Sequence, residues 1–262
     1  MRKIRYSLGL PLAGAALLTG CAVYVPTVPG TPLLRGKGAV EITAAVGNPN
    51  TAEAGAAWAP AAHLLVTGEA ALQASNDSQT SNNVTTTHHS LHRQGGLGLG
   101  TYRLLGKDES VYLGAVGGAG IAAADLYYPS VAVAFILPVP GPDVHYEASY
   151  WRYYGQVYVA HQGPRVSYGL SVRNTWANYR RLVRDGVPVA LRTQSFLEPT
   201  LFVRVGRGAI QGLGAIGFSS PGRVDHQNPD TENLAPATTL LSVGVVVRPQ
   251  LFGHRHSPDG PR

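Results

Sequence analysis

The chain predicts an all-β fold, an antiparallel up-and-down transmembrane β-barrel of about ten strands behind an N-terminal tether. Three observations predict it. Apolar residues alternate with period two through most segments, and no helical spacing persists. Composition agrees, since Gly 32 and Tyr 13 stand against a single Met and a single Cys. The connections also alternate between tight turns and long polar loops, the asymmetry of barrels with one end in the periplasm and one outside.

Residues 1–20 open with Arg2, Lys3 and Arg5, continue as an apolar run to Leu18, and end in small residues. The run is shorter than the roughly 20 apolar residues a spanning helix needs, so this is a secretory signal that the mature fold lacks. Leu18, Thr19, Gly20 and Cys21 resemble the lipobox of bacterial lipoproteins. That resemblance implies a diacylglycerol thioether on Cys21, removal of the signal before it, and acylation of the new amine. A lone cysteine in an exported chain has no disulfide partner, which fits. Ala22 follows where an aspartate would resemble an inner-membrane retention signal, so the resemblance leans towards the outer membrane. Loss of the signal lowers the formal charge from +6 to +3, so basicity is no argument for nucleic acid as a partner.

Residues 21–37, rich in Pro and Gly, read as an extended tether between lipid and fold. Residues 38–252 form the barrel, and residues 253–262 a polar tail. Strands are expected to begin near Gly38, Thr51, His63, His92, Ser110, His145, Arg165, Ala190, Ala209 and Thr239. The turns at WAPAAH, LLGKDES, AHQGPR and VGRGAI are short. Four connections read as long loops: SNDSQTSNNVTTTHHS, LYYPSVAVAFILPVPGPD, RLVRDGVP and SSPGRVDHQNPDTENLAPA. An even strand count then puts both chain ends, and Cys21, on the periplasmic side.

Several strands have a charged or tyrosine-rich face opposite an apolar one, whereas LGAVGGAGIA is too glycine-rich to assign. Glu41, Glu69, Arg152, Tyr154, Arg173, Arg192, Glu198 and Arg204 are the expected lumen-facing set; Val157, Leu201 and Val203 belong to the lipid face. Alternation alone leaves a soluble barrel open, with the faces exchanged. The small apolar residues Ala52, Ala54, Ala56, Ala115 and Ala119 would fill a water-soluble core poorly. The mixed charges can pair in a narrow lumen. Trp58, Tyr102, Tyr127, Trp176 and Phe218 fall where interfacial girdles would lie. The mature chain looks like uncharacterised outer-membrane β-barrel lipoproteins, a resemblance carried by the Pro-rich tether, the AWAPAAHLLV turn and the closing strand ending in Phe252. It implies outer-membrane lipid, barrel-assembly machinery and lipoprotein-sorting machinery as partners, and no activity.

Candidate chemistry is sparse. His88 and His92 share a strand face while His89 does not, and no Cys or nearby acid completes a metal shell. Asp77, Asp125, Asp143, His145, Asp185, Asp225 and His226 are rim residues with no hydrolase signature around them. The glycines of GRGAIQGLGAIG belong to a hairpin rather than a nucleotide loop. The expectation is a non-enzymatic barrel without cofactor, serving structure, interaction or narrow solute passage. The alternative is a periplasm-facing lipoprotein that binds a ligand or envelope component through a soluble β-fold.

Overall fold

The computed structural model describes residues 23–47, 50–81, 84–128, 131–134, 137–140, 144–190, 193–222 and 237–252. Ten long strands form the wall: β1 (Val40–Gly47), β2 (Thr51–Trp58), β3 (Leu64–Ser81), β4 (Val84–Leu105), β5 (Val111–Tyr128), β8 (Val144–Gln162), β9 (Val166–Arg184), β11 (Thr193–Val205), β12 (Ile210–Pro221) and β13 (Thr238–Val247). The short pieces β6 (Val131–Ala134) and β7 (Leu137–Pro140) pair only with each other, and β10 (Val187–Pro188) extends β9. Each wall strand pairs antiparallel with its chain neighbour, and β13 pairs back to β1 with Ile42 opposite Val247. The sheet therefore closes, and no wall edge is left unpaired.

Two connections differ from expectation. The segment 75–90 is not a loop but a hairpin arm, with β3 and β4 pairing out to Ser81 and Val84. Its Thr- and Ser-rich composition sustains pairing without an apolar face. RLVRDGVP likewise continues β9 and turns at Asp185 and Gly186 (φ 49° and 80°), the two positive values a type I′ hairpin requires.

The pleat separates the faces. Leu97, Val46, Val243, Leu201 and Val157 are all more than half exposed outside, while Arg152, Arg173, Glu198, Arg204 and Glu41 are nearly inaccessible inside. Glycines make this interior possible on one arc. Gly114 and Gly118 of β5 face inward beneath the rings of Tyr158 and Tyr154, and a Cβ at either would collide with the ring. The glycine-rich strand that resists assignment from sequence is the bed on which two tyrosines lie.

The segment before β1 does not remain outside the wall. Residues 23–36 run extended through the lumen. Leu33 and Leu34 pack with Tyr102, Tyr112, Tyr158 and Phe202 at the short-turn end. Val23, Tyr24 and Val25 pack with Leu126, Tyr146, Leu182 and Phe196 at the end carrying the longer connections. The even strand count does return β13 to the end where β1 starts, but Val23 lies at the opposite mouth. The tether is an internal thread because a ten-stranded lumen exceeds what side chains alone fill. Cys21 and residues 1–20 lie outside the described residues, as do the polar tail and Arg192.

Candidate functional site: the threaded lumen

Hydrogen bonds tie the thread to the wall at successive levels. At the long-connection end the Tyr24 hydroxyl donates to Glu198 Oε1 (2.8 Å), and its ring stacks on Phe196 with centroids 4.0 Å apart. Below it, Gln94 Nε2 donates to Thr27 Oγ1 (3.1 Å), and the Val28 amide to Glu53 Oε1 (3.0 Å). Three thread carbonyls then accept from wall side chains: Gly30 from Gln156 (2.8 Å), Thr31 from Arg204, and Pro32 from the Tyr158 hydroxyl (2.8 Å). At the short-turn end Arg35 donates to Gln162 Oε1 (2.6 Å) and to the Glu109 carbonyl (3.0 Å), and the Gly36 amide to Tyr102 (3.0 Å). Proline at positions 26, 29 and 32 suits this course, since an extended chain inside a barrel has no ladder in which to use the missing amide donors.

Besides Glu53, the charged residues of the lumen wall gather around three glutamates. Glu69 is gripped by Arg152 and by Arg173 (2.9 Å), and Arg173 also stands over the Tyr154 ring at 4.5 Å. Glu41 bridges Arg204 (2.9 Å) and Arg248 (3.3 Å). Glu198 is held by hydroxyls, receiving Tyr24, Thr175 (3.0 Å) and Ser219 (3.2 Å). Buried charges persist only when paired and hydrogen-bonded in this way. Glu69 recruits partners from β8 and β9, two strands not adjacent to its own, so the pairs cross the lumen rather than follow the wall. A residual cavity of about 80 Å³ lies between the thread and Glu53, Glu69, Arg152 and Arg173, with room for a few water molecules.

Seven of the eight residues assigned to the lumen from sequence, all but Arg192, point inward among these groups. Tyr102 departs from its expected place in a girdle. It faces inward, is nearly inaccessible, and stacks on Tyr112 at 5.3 Å. Trp58, Trp176 and Phe218 face outward. The thread itself was missed, and its signal lay in plain view: Val23, Tyr24, Val25, Leu33 and Leu34 are too apolar for a solvated spacer.

His89 and His92 do not converge. His92 is buried with Nε2 3.2 Å from the Tyr150 hydroxyl, whereas His89 contacts Asn76 on the exposed arm; the side chain of His88 lies outside the described residues. Among the described residues no group of three ligands is arranged to hold a metal ion. Asp125 and His145 do meet, Nε2 to Oδ1 at 2.7 Å, with Asp185 Oδ1 accepting from the His145 amide. The pair lies exposed on the outer wall with Tyr127 stacked on the imidazole at 4.1 Å. No protein-family model matches the chain, and a search of curated proteins found no relative.

Proposed function

We propose that the protein is an outer-membrane lipoprotein barrel with a structural or interaction role, closed by its own N-terminal segment and performing no chemistry. The observation that carries this reading is the inverted polarity of the wall. Charged residues sit in the enclosed interior, while a ring of Leu, Val, Ile and Trp faces outward, an apolar surface far larger than a water-soluble monomer presents. The short turns face the periplasm and the longer connections face outward. Anchoring is through an acylated Cys21. It lies two positions before Val23, a reach of about 7 Å, so the lipid enters the leaflet beside the long-connection mouth. The sequence alone favours the opposite side.

Folded chain extracted from membranes is expected to migrate faster on unheated gels than after boiling, and intact-mass spectrometry to find a triacylated Cys21 as the first residue. Heat-independent migration would favour the soluble-fold alternative. An unmodified cysteine, or a mature start elsewhere, would remove the anchor and leave the barrel.

A further inference from the structure

The outward belt is interrupted by charge on one arc. Arg93 of β4 and Arg181 of β9 are joined by the cross-strand run Arg93, Ala123, Ser149, Arg181. The register shift between Ser149 and Tyr150 leaves Arg180 opposite no partner, so two consecutive arginines face outward there. Arg181 is taken by Glu147 (2.7 Å), and the neighbouring Asp125 by His145. Arg180 lies over the Trp151 ring at 5.9 Å, and among the described residues no carboxylate pairs with Arg180 or Arg93. Ala123 and Ser149 are small, and the gap above them opens as a groove lined by Arg93, Arg180, Ile121 and Trp151.

The level of this groove says what could lie in it. On β4 the next outward arginine is Arg103, with only Thr101, Leu99, Leu97 and Gly95 facing out between them. Ten residues span about 34 Å of strand, or about 26 Å of height at a tilt near 40°. That matches the roughly 25 Å apolar band of such barrels, so Arg93 stands at its outer edge where lipid headgroups begin. Arg93 at that edge and Arg180 across the same groove, with no described carboxylate partner and an apolar wall beneath, are complementary to a phosphate whose acyl chains descend along the wall. We propose that this groove binds a lipid with a phosphate-bearing headgroup in the leaflet on the long-connection side. Arg93 and Arg180 grip the phosphate, and Ile121 and Trp151 contact the chains. The inference rests on the membrane reading above.

The test uses the full chain with Trp58→Phe and Trp176→Phe, leaving Trp151 as the reporter, in phosphatidylcholine bilayers containing brominated phosphatidic acid or brominated phosphatidylcholine. Phosphatidic acid is expected to quench Trp151 at severalfold lower mole fraction. Each arginine at an anionic surface is worth about fivefold in binding, so Arg93→Gln with Arg180→Gln should bring the two lipids close to parity, while Arg103→Gln changes nothing. Equal quenching by both lipids in the parent chain, or a preference that survives the double substitution, overturns the headgroup site alone. Quenching by neither would mean that Trp151 meets no acyl chains, and the membrane reading would fail with it.

Discussion

Val203 and Arg204 are chain neighbours with opposite surroundings. Val203 is 40% exposed on the outer face, whereas Arg204 is buried between Glu41 and the Thr31 carbonyl. Val203→Arg is expected to cost about 2–4 kcal/mol in bilayers, read from urea unfolding in vesicles. Arg204→Val is no gentler. Removing one partner of a buried pair costs about 3–5 kcal/mol, and Arg248 at 3.3 Å keeps Glu41 partly satisfied, which places the loss near the lower figure. If Val203→Arg were harmless in lipid while Arg204→Val unfolded the protein in water, the soluble fold would be correct. The faces of these residues were legible from period-two alternation alone. Their partners were not: Glu41 and Arg204 are 163 positions apart in the chain, and only barrel closure through the β13–β1 ladder brings them together.

At the scale of the element, β5 and the thread share one dependence. The inward glycines of β5 give Tyr154 and Tyr158 room to lie across the wall, and Tyr158 then reaches the Pro32 carbonyl. Gly114→Val or Gly118→Val should therefore destabilise the barrel by about 1–3 kcal/mol, the usual cost of overpacking. Gly155→Ala, with open space where its Cβ would stand, should leave the midpoint unchanged. The comparison is made on folded fractions by heat-modifiable migration across a urea series. Period-two reading found nearly every strand, yet it stopped β4 at His92 and treated 75–90 as a loop. Residues 75–90 carry no apolar alternation, so the sequence pattern ends there although the pairing continues. The thread escaped for a related reason. An extended chain surrounded on all sides has no preferred face and produces no period.

For the whole molecule the expectations concern sidedness and closure. Cysteines placed at Asn82, Pro138 and Asn228 are expected to react with an impermeant thiol reagent on intact cells, and those at Pro60, Lys107 and Gly163 only after permeabilisation. Equal labelling of both groups would rule the orientation out. In planar bilayers the intact chain should conduct no more than the bare membrane, because the thread occupies the lumen from Tyr24 at one end to Arg35 at the other. Deleting residues 24–35 should open a steady ion conductance in the fraction that still migrates as a barrel. A deletion barrel as silent as the parent would show that the wall side chains alone close the lumen.

The thread precedes every wall strand in the sequence yet lies inside the ring they close. Once shut, it resembles a rotaxane. One end of the axle is tied covalently to β1, and the other, in the proposed anchoring, bears acyl chains too bulky for the bore. Neither end can slip through. Such a protein could not be pulled free of its lipid without first being unwound.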